Sequence, residues 1–197
     1  ALPIWGDLAI GAYGIVNRIV FLFIMIVMGF NQGMQPIAGY NFGARLFDRL
    51  IQVLKYTVFC GVAVTTVGFL AGQIFPRSLI CLFTSDETLT NIAVEGLRIV
   101  LIFFPVVGFQ MVTSSFFQSI GMAKKAIFLS LTRQLLFLIP SLLVFPSIWG
   151  TVGVWMSMPV ADCIATIVAA CMLRWQLKRL KAWRNLYYSG YRFEKNR

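Results

Sequence analysis

Five long apolar stretches, separated by short connections, constrain this chain more than any other feature. They run from Leu8 to Gly39, Leu50 to Phe75, Ile99 to Ile120, Ala126 to Ile148 and Thr151 to Leu173. Each holds at least the ~20 helical residues that cross ~30 Å of hydrocarbon. The expected fold class is an all-α membrane protein, a polytopic transmembrane helix bundle with five spans followed by a basic amphipathic cytoplasmic tail, residues 174–197. Composition agrees: 59% of the residues are hydrophobic and 12% charged, against about a quarter charged in an ordinary globular domain. Apolar surface on this scale must face lipid as well as a core.

The formal net charge is +10, and the tail from Arg174 to Arg197 carries eight Lys or Arg against one acid, Glu194. Lys and Arg near span ends collect on the cytoplasmic side. Arg45, Arg49 and Lys55 follow the first stretch, Lys124 and Lys125 the third, and the tail the fifth, so all three basic sites share one face if every stretch crosses. The opposite face receives Asp7, Arg77, Asp86, Glu87 and the uncharged link from Ser147 to Gly150. This bias places residue 1 outside and Arg197 inside, and explains the charge without a nucleic-acid partner. An odd number of spans with an outer start, and Ala rather than Met at position 1, read as part of a longer chain; no basic stretch precedes the first apolar run as in a signal peptide.

Catalytic chemistry has little to work with here. There is no His, the commonest general base and metal ligand, and the acids number seven, so an enzyme is not expected. Cys60, Cys81, Cys163 and Cys171 lack metal-ligand spacing and read as buried thiols acting as small hydrophobes. No cofactor is expected.

Proline and glycine punctuate the stretches. Pro76 and Pro146 are expected to end helices at the outer face and Pro105 to kink the third span. The string Asn31 to Arg45, with Pro36 and Gly39, marks a helix end running into a basic loop. Ser85-Asp86-Glu87 predicts a cap for an outer helix continuing through Glu95 and Arg98, which can pair at i, i+3. In the tail, Leu173, Leu177, Leu180, Trp183 and Tyr187 form one stripe with Lys178, Lys181 and Arg184 mostly elsewhere, the pattern of a helix lying on an anionic inner leaflet.

Polar groups within the spans are the candidate functional residues. Asp162 lies ~17 Å along a helix from Thr151, near the midplane, where a bare charge costs at least ~2.5 to 3.5 kcal/mol. It must pair, take a proton or bind a cation, and Pro159 one turn earlier frees a carbonyl that could help. Structural pairing and a part in coupling both remain open. Arg133 in the fourth stretch either snorkels to the inner interface or reaches Asp162, and Arg18 either snorkels outward or faces a cavity. Asn17, Phe21, Ile24, Met28, Asn31 and Gln35 share a face of the first helix, suited to a wet cavity for bulky amphipathic compounds or to plain interhelical contact. Gln110, Thr113, Ser114 and Phe117 make a similar patch in the third, where Gly108 permits close backbone approach.

The string Gln35-Pro36, Gly39-Tyr40-Asn41 and Gly43-Ala44 resembles a signature of the multidrug and toxic compound extrusion (MATE) transporters. Further resemblance lies in Ala12-Tyr13-Gly14-Ile15, Leu82-Phe83-Thr84, Phe104-Pro105, Gly108-Phe109-Gln110, Phe117 to Gly121, Arg133 to Pro140 and Gly153 to Asp162. The resemblance implies spans eight to twelve of a twelve-span, two-lobe protein of the bacterial cytoplasmic membrane, whose missing N-terminal lobe is a partner along with membrane lipid. It implies exchange of protons or sodium ions for small organic, often cationic or amphipathic, substrates. Thr113 stands where sodium-driven members carry a carboxylate, which favours protons. A lipid-linked oligosaccharide flippase of the same superfamily is the alternative; it would need a strongly cationic cavity, for which only Arg18 and Arg133 are candidates.

Overall fold

With so little polar sequence to satisfy a backbone away from water, helix is the one local structure that closes its own hydrogen bonds. The computed structural model describes residues 2–131 and 138–195, and there is no strand among the described residues. The elements are α1 (Leu2–Gly43), α2 (Phe47–Ile74), α3 (Pro76–Cys81), α4 (Glu87–Leu101), α5 (Phe104–Ser119), α6 (Ala123–Leu131) and α7 (Ile139–Lys195). Leu8–Gly43, Phe47–Ile74 and Met156–Asn185 are each long and apolar enough to cross a bilayer, and α4 with α5, bent by 54° at a short break, makes a fourth such unit. The all-α membrane bundle expected from sequence is therefore present. Part of the stretch 126–148 lies outside the described residues.

Two turns at one end of the bundle are closed in the same way. After α1, Leu46 N donates to Asn41 O at 2.9 Å and Arg45 N to Phe42 O at 3.1 Å; after α5, Met122 N donates to Phe117 O at 2.9 Å and Gly121 N to Gln118 O at 3.1 Å. Both are Schellman closures, which need a left-handed residue just past the helix. Gly121 (φ 75°) adopts that conformation at no steric cost, while Arg45 (φ 59°) adopts it against its Cβ. Pro36 does not end α1 as expected, because losing one backbone donor costs less than opening a turn where no water can replace the bonds.

Proline acts as expected at two other points. Pro76 begins α3 directly after α2 ends, and Pro105 sits in the first turn of α5, where its missing N–H is harmless. The 54° bend at Leu101–Phe104 is the expected kink, sharpened into a break. Gln73 Nε2 donates to Arg98 O at 2.9 Å, satisfying a carbonyl in the last turn of α4. Glu95 and Arg98 both stand exposed and form no ion pair among the described residues; the exposed pair at this end is Arg77 with Glu87 at 3.6 Å.

Asp86 caps α4 as its sequence context predicts, its Oδ1 accepting from Thr88 N at 2.8 Å and Leu89 N at 3.1 Å. Asp86→Ala should cost the helix about 1 kcal/mol. Hydrogen exchange should quicken at the Thr88 and Leu89 amides while α5 stays protected; unchanged exchange there would show that the cap contributes nothing.

Small residues let the helices meet. In lipid there is no hydrophobic drive between apolar helices, so close packing carries the association. A Cβ at Gly108 would lie 2.6 Å from the Gly61 carbonyl oxygen and 2.5 Å from Thr65 Oγ1, and one at Gly72 would overlap the Leu101 side chain. Thr65 Oγ1 donates to Gly61 O at 3.0 Å and lies 3.3 Å from Pro105 O across the same interface. α2 and α5 thus run against each other almost backbone to backbone.

α7 departs from expectation. It stays helical through Phe145-Pro146 and through Ser147–Gly150, where two spans were expected to be joined by a link. A single glycine costs a helix about 1 kcal/mol and a proline about 3, and no residue of that link demands a turn. The tail also differs. Leu173 and Leu180 are buried in the same cluster as Leu50, Leu54 and Phe117, and Arg184 Nη1 lies 2.8 Å from Asp48 Oδ1. Leu173 and Leu180 of the stripe read as facing lipid dock on the bundle itself, while Trp183 stands exposed, because their spacing matches a groove beside α2 as well as it matches a membrane surface.

These contacts gather the basic connections at one end. The α1 and α5 termini adjoin at Gly39 and Ser119, Lys125 meets α7 at Gln176, and Arg184 meets α2 at Asp48. The shared face inferred from alternating charge is a feature of the tertiary structure.

Candidate functional site

Asp162 reaches its position through α7, which presents Ala161, Ala165, Ala169 and Leu173 to the bundle as a buried stripe. That small-residue face brings the helix close to α5, where Thr166 Oγ1 lies 3.5 Å from Val106 O. Thr166 Oγ1 also donates to Asp162 O at 2.7 Å. Asp162 itself is 8% exposed. Counting from Gln176, level with the basic end through its contact with Lys125, the carboxyl stands ~21 Å up the helix, well inside a ~30 Å slab. Thr151 does not mark a span end, since α7 has no turn there.

Beside Asp162 is a cavity of about 200 Å³ between α1, the α4–α5 break and α7. Its polar lining comes from Asn17 and Asp162, and its wall is Val20, Ile24, Phe104, Val107 and Met158 among others. The break places Phe104 there: its ring packs edge-on to Phe23 at 6.3 Å between centroids. A carboxyl and an amide in an apolar wall can hold a cation, or a compound with one positive group on a greasy body.

The other expected site residues divide into separate places. Gln110 and Ser114 line a second cavity, about 300 Å³, with Ser115, Gln118 and Ser130 between α5 and α6. Ser114 Oγ is 3.3 Å from Ser130 Oγ, and Gln110 Oε1 is buried without a hydrogen-bond partner among the described residues. Thr113 and Phe117, expected on the same patch, turn away into the core. Thr113 Oγ1 donates to Phe109 O at 2.8 Å, and Phe117 packs edge-on to Phe116.

The α1 stripe is divided too. Asn17 and Met28 are exposed and Gln35 half-buried, whereas Asn31 is buried with Oδ1 unpaired among the described residues. Arg18 is exposed, and Arg133 lies outside the described residues. Cys60, Cys81, Cys163 and Cys171 are free thiols, and Cys81 and Cys171 are exposed rather than buried. Missed in the sequence was Gln176, fully buried in α7 and accepting from Lys125 Nζ at 2.8 Å. A neutral amide within a run of basic residues was the available signal; reading that run as a surface helix hid it.

The MatE family model matches residues 2–143 of this chain. The chain belongs to the MatE family. Among curated relatives, the multidrug export protein MepA of Staphylococcus aureus (strain bovine RF122 / ET3-1) is 25% identical over 173 residues, covering 84% of this chain and 36% of that protein. MepA of Staphylococcus haemolyticus (strain JCSC1435) is 27% identical over 172 residues, covering 85% and 37%. The chain thus spans little more than a third of the length of the curated relatives it matches. Among solved structures, the outward-facing conformation of a multidrug resistance MATE family transporter of the MOP superfamily superposes with a TM-score of 0.83 over 90% of this chain and 40% of that one, at 23% identity. The MATE multidrug transporter DinF-BH in complex with R6G gives 0.78 over 88% and 39%, at 35% identity. The first match speaks for the fold; the second adds sequence likeness.

Proposed function

We propose that this chain is one lobe of a cation-coupled antiporter that exports organic, often cationic or amphipathic, compounds across the cytoplasmic membrane of a bacterium. The observation that carries the reading is the Asn17–Asp162 cavity, a carboxyl buried at membrane depth in an otherwise apolar wall. A carboxyl buried there is costly when charged, so a change in what neutralises it, when a proton, a cation or a cationic substrate arrives, changes which conformation of the bundle is favoured. Differential affinity of that kind is what alternating access requires. The relatives named as multidrug export proteins and the R6G complex of DinF-BH support the substrate class.

Protons are the preferred coupling ion. Thr113 is buried with its hydroxyl committed to a backbone carbonyl, so this lobe offers no carboxylate at the position where the sodium-driven members have one. The carrier reading takes precedence over a lipid-linked oligosaccharide flippase because none of the described residues lining the Asp162 cavity is cationic. The remaining lobe would complete the pathway, with residue 1 outside and Arg197 inside, the face that gathers Arg45, Lys125 and Arg184 being cytoplasmic by the charge rule.

Full-length protein in vesicles bearing a proton gradient should expel a cationic dye, and export should stop when a protonophore dissipates the gradient. Export that persists without any ion gradient would overturn the reading; export that follows sodium alone would overturn the choice of ion.

A further inference from the structure

At the end of the bundle opposite the α3–α4 connection, cations outnumber acids among the described residues. Lys125, in the first turn of α6, is half-buried. Its Nζ lies 2.8 Å from Gln176 Oε1, 3.4 Å from Met122 Sδ, 4.5 Å from the centroid of the Trp175 ring and 5.5 Å from that of Phe117. Arg179 lies over the same Trp175 ring at 4.7 Å and over Trp183 at 5.5 Å. Two cations sharing one indole repel each other; burial first, and Arg179 second, hold the Lys125 ammonium below its ordinary pKa. The nearest acid in this part of α2 and α7, Asp48, is taken by Arg184.

Two further observations point to a missing acceptor. Gln176 is fully buried, and while its Oε1 accepts from Lys125, its Nε2 has no acceptor among the described residues. A buried donor left unmade is destabilising, so a site that supplies an anion would relieve it. Trp175 is also 51% exposed and borders an open groove of about 460 Å³ whose other walls include Arg174, Lys178 and Lys181. Every charged residue among the described ones lining that groove is basic.

We propose that the Lys125–Trp175–Arg179 cluster and the adjoining groove bind the phosphate of an anionic membrane lipid. Charge complementarity fixes the headgroup: a monoanionic phosphodiester with no ammonium, such as phosphatidylglycerol, meets cations alone, whereas a zwitterionic headgroup brings its own positive charge among them. Position fixes the source. The groove lies at the ends of the membrane-crossing helices, where half-exposed Trp175 and Trp183 have the amphipathic character that suits an interface, so acyl chains can run down the apolar flank of α7 below the bound phosphate. The lipid would brace α7 against the α5–α6 turn, adding to the contacts that Lys125 makes with Gln176 and Trp175.

The test is native mass spectrometry of the full-length protein in detergent with added phosphatidylglycerol, phosphatidylcholine or inorganic phosphate. Phosphatidylglycerol should be retained, phosphatidylcholine lost, and Arg179→Gln should lower phosphatidylglycerol retention about tenfold, the effect of losing one charge-assisted contact. Arg179 is exposed, so this variant keeps its packing; Lys125→Gln should act in the same direction, and Lys124→Gln, exposed on the same turn, should not. Equal retention of the two lipids, undiminished retention in both Arg179→Gln and Lys125→Gln, or displacement of the lipid by millimolar inorganic phosphate would each overturn the proposal. None of these readouts depends on dye export, so this site and the transport reading stand or fall separately.

Discussion

Asp162→Asn should abolish most gradient-driven export while lowering expression far less. The two halves of that expectation come from one physical fact. A carboxylate near the middle of a membrane helix costs ~2.5–3.5 kcal/mol, which the fold tolerates at an 8% exposed site only if the charge is used or compensated. The amide keeps the shape, cannot change its protonation, and carries no charge to bury. If Asp162 couples, export should fall by about tenfold or more, the factor that ~1.4 kcal/mol of differential binding commands, and its pH dependence should flatten. Expression and melting temperature should fall less than export does. A parallel fall in melting temperature, expression and export would instead make Asp162 a structural partner of a neighbouring helix, and coupling would have to be sought in the other lobe.

Gly108→Ala is the second large effect, and it is one of packing alone. The added methyl would stand 2.6 Å from the Gly61 carbonyl oxygen and 2.5 Å from Thr65 Oγ1, both held by the backbone of α2 or by a side chain already bonded to it. Neither can yield by a rotamer change, so α2 and α5 must separate. Overpacking of this kind costs ~1–3 kcal/mol, and parting the helices also strains the contact from Thr65 to Pro105. Gly14→Ala is the control: a Cβ there meets nothing within 4 Å, and alanine is the better helix former by roughly 1 kcal/mol. The pair should differ clearly in melting temperature in detergent, the Gly108 variant falling and the Gly14 variant unchanged or raised. Equal melting temperatures would mean that the α2–α5 contact is looser than described.

Much of the fold was legible because the bilayer leaves few choices. Apolar length implied helices, Pro76 and Pro105 announced their breaks, and Asp86 its cap. The charge pattern foretold that Arg45, Lys125 and the tail would meet at one end. Legibility failed where a local signal had two readings of similar cost. Pro36 and Pro146 lie within helices, since a helix in lipid gives up one bond more readily than a whole turn. Leu173 and Leu180 could cover either a membrane surface or a neighbouring helix, and periodicity is the same for both.

The site divided along similar lines. Sequence alone determined that this is a membrane-spanning helical chain with an acid, Asp162, buried where acids are expensive, because hydropathy and length are properties of the chain that no fold can remove. Only the tertiary structure decided that Asn17 shares Asp162's cavity, that Thr113 and Phe117 leave the patch of Gln110 and Ser114, and that Gln176 joins Lys125 beneath Trp175. Those outcomes depend on how far each helix is rotated about its axis, and that rotation is set by contacts such as Gly61 against Gly108 and Ala165 against α5, between residues far apart in the chain.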